Sequence, residues 1–161
     1  PQERADRLAA ALQESGVPAR ATATILTALW AKVLYNCALN GLSTLLEVPY
    51  GKVPERPAAE RMMQAIIKEA YRAARARGIA LEPATPQAYL ELLFGRLIPD
   101  TAAHRPSMLQ DLRRGRPTEI DAMNGAIVRL AQEAGLEAPV NALVTRLVHA
   151  KEAFVRITSA G

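Results

Sequence analysis

Cysteine and aromatic residues are both scarce in these 161 residues. One cysteine, Cys37, excludes an internal disulfide, and its apolar neighbours make it a small core residue of a cytoplasmic protein. Aromatics are 4% of a chain that is 50% hydrophobic, so a core must be built from Ala, Leu, Ile and Val, which suits close-packed helices. The two histidines, His104 and His149, lack metal-ligand spacing and company, which argues against zinc. No G-x-G-x-x-G or Walker-type phosphate loop occurs, no Ser/His/Asp order is readable, and no base stands ready to activate the lone thiol. No basic stretch followed by an apolar core and a small-residue cleavage site marks a secretory signal. The longest apolar run is broken by polar residues, which argues against a membrane span. The chain opens on Pro1 rather than Met, as expected of a processed or excerpted sequence.

The net charge is +4, and arginines from Arg4 to Arg156 carry most of the positive charge. Arg113, Arg114 and Arg116 are the densest group, but Asp111 and Glu119 flank them and no aromatics interleave. A solvated basic surface that favours small anions is therefore a better reading than a nucleic-acid surface.

The chain is organised around Ala28 to Leu46, ALWAKVLYNCALNGLSTLL. It is apolar almost all the way round and free of proline, which predicts a helix buried on most faces. Lys32, Asn36 and Asn40 interrupt it at intervals of four, so they stack along one face over about 12 Å. Such a stripe either hydrogen-bonds neighbouring helices or faces a ligand.

Around it the sequence reads as helices with marked ends. Residues 2–15 form an amphipathic helix stopped by Gly16, and residues 17–22 suit a short extended stretch. Together they resemble the tail of an α/β unit. Thr24 is placed to cap the central helix, which ends before Pro49. The next helix covers 57–77, with Met62, Ile66, Ile67, Ala70 and Ala74 on its buried side. Thr85 and Pro86 open a helix over 87–98, followed by a loop from Pro99 to Pro106. Ser107 can cap a short helix stopped by Gly115, and Thr118 a helix over 119–134. Pro139 starts the last helix. The expected fold class is all-α, a helical bundle.

A second polar concentration lies at Ser107 to Gly125, SMLQDLRRGRPTEIDAMNG. Helix capping and the helix dipole explain Ser107, Asp111 and Glu119 as well as a functional role does. Asn124-Gly125 within an apolar helix is less easily explained that way, because glycine there costs about 1 kcal/mol and implies a close helix approach.

Trp30–Leu42 (WAKVLYNCALNGL) and Pro106–Gly125 (PSMLQDLRRGRPTEIDAMNG), in this order about 70 residues apart, resemble the C-terminal domain of the ketopantoate reductases, as does GLEAPVN at Gly135–Asn141. The resemblance covers about residues 24–157. It implies a helical domain of the 6-phosphogluconate dehydrogenase C-terminal type over residues 23–161, with 1–22 the remnant of an N-terminal Rossmann domain. It also implies that Lys32 protonates the ketone oxygen of a 2-oxo acid, that Asn36 and Asn40 hold the substrate's hydroxyl end, and that Ser107 binds its carboxylate. Glu119 would bind the substrate and orient it beside Lys32, while Asp111 is structural. NADPH would be bound mainly by the missing domain. The pattern departs at Pro106, where the family usually has a second serine. The expected protein is a cytoplasmic, homodimeric 2-dehydropantoate 2-reductase with a small-molecule substrate and neither a nucleic-acid nor a membrane partner. The alternatives are a paralogue reducing another 2-oxo acid and a free-standing helical dimerisation or binding module.

Overall fold

A computed structural model describes residues 2–22 and 24–159. All regular structure among them is helical, as the composition demands. Helix α1 (Gln2–Glu14) buries none of its residues. Helix α2 (Ile25–Leu46) is the core element, and Cys37 to Thr44 are all buried. Helix α3 (Pro57–Ala76) lays Met63, Ile66, Ile67, Ala70, Ala73 and Ala74 against the core. Three short helices, α4 (Pro86–Leu92), α5 (Ile98–Asp100) and α6 (Ser107–Arg113), lead to α7 (Asn124–Glu133) and α8 (Pro139–Ser159). Helices α2, α3, α7 and α8 pack on one another to form the body, and α6 lies against α2 and α8. Small residues set the closeness: a Cβ on Gly41 of α2 would lie 2.5 Å from Val144 Cγ1 of α8. No helix among the described residues is long and apolar enough to cross a membrane.

The core carries a polar chain through its centre. The carboxylate of Glu69 on α3 accepts from the backbone N–H groups of Val140 (2.9 Å) and Asn141 (3.0 Å) in the first turn of α8. A carboxylate is favoured there because the first N–H groups of a helix have no intrahelical partner and carry partial positive charge. Asn141 also donates its amide to Glu69 (2.7 Å) and accepts from Asn124 of α7 (3.0 Å), which in turn donates to the Cys37 carbonyl of α2 (3.1 Å). One chain of bonds thus joins the body's helices.

Several expectations need correction. No strand forms over 17–22. The segment expected to be a remnant domain includes Pro1 and borders Ala23, both outside the described residues. Thr24 precedes α2 without a side-chain cap bond, since its hydroxyl pairs with Thr22 at 3.0 Å. On α3 it is Met63 that is fully buried, with Met62 at the core's edge. Thr85 does cap α4, accepting from the Ala88 N–H. That helix does not stop at residue 98. Pro99 has no N–H to give Gly95, so the chain widens into a π turn at Leu93–Leu97, where the Ile98 N–H reaches Leu93, and continues to Asp100.

Ser107 is not the cap of α6 either: Pro106 takes that position and Ser107 is the first helical residue. The helix expected over 119–134 is split into a 3₁₀ turn (Ile120–Ala122) and α7, with the break at Met123. The regular spacing of Ile120, Met123 and Ile127 conceals the break, since both pieces turn their apolar residues to the same core. Asn124 and Gly125 therefore open a helix, where glycine costs less than in an interior.

Because Asn141 holds two other buried polar side chains, Asn141→Ala should lower stability by about 2–3 kcal/mol, the cost of stranding buried hydrogen-bonding groups. Chemical denaturation of wild type and variant checks this, and a loss below about 0.5 kcal/mol, as for an ordinary surface change, would contradict it.

Candidate active site

The α2 stripe runs from water into the core. Lys32 is exposed, Asn36 half-buried and Asn40 only 5% exposed. The gradient arises because α2 projects its first turns beyond the bundle: Ile25 and Leu29 are also about half exposed, at 51% and 49%. No hydrogen bond or ion pair engages the Lys32 ammonium or the Asn36 amide among the described residues.

Asn40 is held from both sides. Tyr50, in the turn after α2, donates its hydroxyl to Asn40 Oδ1, and Asn40 Nδ2 donates to the Met123 sulfur at 3.3 Å. Burial pushes the Tyr50 hydroxyl well above its ordinary pKa, so it stays protonated and keeps donating. With its carbonyl taken, Asn40 has one amide hydrogen left to offer.

Tyr50 also gathers a second segment. Its N–H donates to the His104 carbonyl and that of Gly51 to the Ala102 carbonyl, each at 3.0 Å. A Cβ on Gly51 would lie 2.8 Å from that of Ala102, so glycine permits the approach. The Tyr50 ring lies 5.0 Å from His104 and meets Tyr35 edge-on at 5.7 Å, while the Tyr35 hydroxyl pairs with Thr101 at 2.5 Å. The loop that delivers Ser107 is thereby pinned beside Asn40.

Ser107 and Glu119 are both exposed, Ser107 at the head of α6 and Glu119 on the turn before Ile120. The contact between Met123 and Asn40 brings the Glu119 turn to α2, and Tyr50 brings the Ser107 loop there. Among the described residues no hydrogen bond or ion pair joins Lys32, Asn36, Ser107 and Glu119 to one another. Asp111 is half-buried, with Arg116 at 3.9 Å. Tyr50 was not singled out by sequence; an aromatic held in a proline-flanked turn of an aromatic-poor chain is the signal that could have found it.

Arg113 is partly neutralised by Glu47 at 2.9 Å, and Lys151 joins the same carboxylate at 2.8 Å, holding Glu47 down at a pKa of about 2. A cavity of about 470 Å³ lies elsewhere, between α3 and the loop before α4, lined by Lys68, Tyr71, Arg72, Arg75 and Leu81 among others. Among the described residues no group of His, Cys, Asp and Glu is arranged to hold a metal ion.

The family described as ketopantoate reductase PanE/ApbA C terminal matches residues 24–152. The chain belongs to the ketopantoate reductases. It is 38% identical over 147 residues to the 2-dehydropantoate 2-reductase of Aquifex aeolicus, covering 91% of this chain and 47% of the relative. It is 33% identical over 149 residues to that of Pyrococcus abyssi, covering 92% and 48%. The chain therefore spans about half the length of the curated relatives it matches. Among solved structures, a PanE/ApbA family ketopantoate reductase from Ralstonia eutropha JMP134 superposes with a TM-score of 0.83 at 33% identity, covering 93% of this chain and 49% of the other. D-mandelate dehydrogenase solved with NADH and anilino(oxo)acetate superposes equally well, at 0.83 and 34% identity, covering 95% and 62%. The all-α fold is that of the reductases' C-terminal domain.

Burial pushes the Cys37 thiol up to about 12, so it holds its proton and is no nucleophile. It is expected to resist a thiol-specific disulfide reagent at pH about 8, where a free thiol ionises readily, and to react once the chain is unfolded. Fast reaction in the folded protein would contradict its burial.

Proposed function

We propose that this chain is the substrate-binding part of an NADPH-dependent 2-dehydropantoate 2-reductase, which reduces ketopantoate to pantoate in the cytoplasm on the route to pantothenate. The reading is carried by the α2 stripe: an unpaired ammonium at the rim, a half-buried free carboxamide, and a fixed carboxamide at the inner end. In it, residues 1–22 are the tail of a cofactor domain and residues 23–161 the substrate domain. The bare surface of α1 and the half-exposed start of α2 fit a neighbour that covers them. The sequence holds no glycine-rich phosphate-binding motif, so NADPH would be held mainly by that other domain. When bound it supplies the hydride.

The remaining chemistry falls to side chains of this chain. As the ketone carbon is reduced, negative charge develops on its oxygen, and Lys32 Nζ donates a proton to it. An exposed ammonium works best once a covering domain has displaced the surrounding water. Asn36 binds the hydroxyl end of the substrate, and Asn40 adds its remaining amide hydrogen. Ser107 receives the carboxylate, and Glu119 binds the substrate and orients it beside Lys32. Asp111 stays structural.

A second reading, a reductase of another 2-oxo acid, is supported by the likeness to D-mandelate dehydrogenase. Assembly as a homodimer fits the exposed Leu143, Leu147 and Phe154, which recur along one face of α8.

In the complete reductase, Lys32→Ala should lower kcat by roughly 10²–10⁴, as expected for loss of a general acid. Asn36→Ala should act chiefly on KM, since it removes binding common to substrate and transition state. Steady-state kinetics with ketopantoate, alongside melting curves, checks both. Near-normal kcat without Lys32 would remove the proton-donor role. For assembly, sedimentation equilibrium at about 100 μM should give a dimer mass, and a monomer would overturn that part.

A further inference from the structure

Three polar groups on α8 and the turn before α7 form a closed set outside the α2 stripe. Glu152 is only 8% exposed, and its Oε1 accepts from the backbone N–H of Thr118 at 2.7 Å. Its Oε2 pairs with His149 Nδ1 at 3.0 Å, and the other ring nitrogen, Nε2, pairs with Asp121 Oδ1 at 3.1 Å. The bonds therefore grip the turn at residue 118 and residue 121, on either side of Glu119. The Asp121 carbonyl is also tied to α7, accepting from Arg129 at 2.8 Å. We propose that His149 and Glu152 are positioning residues: a clasp on α8 that fixes the turn carrying Glu119 and so sets how Glu119 meets the substrate. This rests on the reading of Glu119 as a substrate-binding group.

The arrangement is tuned by protonation. With both ring nitrogens protonated, His149 donates to a carboxylate at each end. A neutral ring has a single N–H, and one carboxylate then faces a lone pair. The bonds to Glu152 and then Asp121 raise the His149 pKa above its ordinary 6.5. Burial alone would raise the carboxyl of Glu152, but the bonds from Thr118 and His149 outweigh it and hold the group below its ordinary range. Among the described residues, Arg129 of α7 and Arg146 of α8 line a cavity of about 200 Å³ together with Asp121. Glu47, at the end of α2, is occupied by Lys151 and Arg113. A raised histidine pKa means the clasp is complete below pH 6.5 and loosens as pH rises through the folded value.

The test uses the complete reductase with ketopantoate between pH 6 and 9, reading KM, kcat and amide hydrogen exchange at residues 118–122, each exchange rate taken relative to the unstructured amide at the same pH. In wild type, exchange in the turn and KM should rise together with pH. His149→Ala should show both already at pH 6, with KM raised about tenfold, the size of losing a charge-assisted bond. His149→Arg, which stays charged, should keep the acid-side KM and slow exchange throughout. Slow exchange and wild-type KM in His149→Ala would overturn the clasp. A turn that loosens as described while Glu119→Ala leaves kinetics unchanged would instead overturn the assignment of Glu119, and with it the clasp's link to substrate.

Discussion

The buried carboxylate of Glu69 is the constraint on which the rest of the fold depends. It reaches across from α3 to receive the first free N–H groups of α8, and Asn141 extends its reach to Asn124 and so to the backbone of α2. Apolar packing between Ala- and Leu-rich helices fixes distance but is non-directional, and such surfaces can slide by a turn without much loss. A chain of directional bonds cannot slide, because any shift strands polar groups that are removed from water. It therefore sets the register in which α2 lies against α7 and α8. The close α2–α8 crossing at Gly41 and the meeting of Asn40 with Met123 are consequences of that register.

The candidate site sits at the edge of this rigid centre rather than inside it. Moving outward along α2, the polar groups pass from fixed to free: Asn40 is locked by Tyr50 and Met123, Asn36 is half-covered, and Lys32 stands in water. Such an order suits a face that positions one end of a small molecule and leaves the reacting end for a covering domain to enclose. Tyr50 and Met123 do more than hold Asn40, since each is the anchor of a segment, one leading to Ser107 and the other following Glu119. A few side chains thus draw residues distant in sequence to one face.

Much of this was legible in the sequence where a signal was local or periodic. The all-α class followed from the near absence of aromatics and the spacing of apolar residues, and Gly16, Gly78, Gly115 and Gly135 mark helix ends with positive φ. Thr85 with Pro86 announced a helix start that formed as read. The misreadings share a cause. By residue type alone Ser107 and Thr118 are cap candidates, but Pro106 takes the cap position before α6, and Thr118 precedes a 3₁₀ turn whose cap is Glu119, its hydroxyl accepting only a long bond from the Ile120 N–H at 3.4 Å. The break at Met123 left no trace in the period of apolar residues. At the site, the four-residue spacing gave the stripe, but not that Tyr50 would bind Asn40. That contact, like the one between His149 and Asp121, joins segments whose approach only the tertiary fold decides.

The most direct measurement of the central claim is a crystal structure of the complete reductase with its nicotinamide cofactor and a 2-oxo acid bound. A proton-donor role for Lys32 requires the substrate's ketone oxygen within hydrogen-bond distance of its Nζ, about 2.7–3.2 Å, with the far end of the molecule against Asn36. A substrate held by residues off α2, with the Lys32 ammonium still facing solvent, would contradict it.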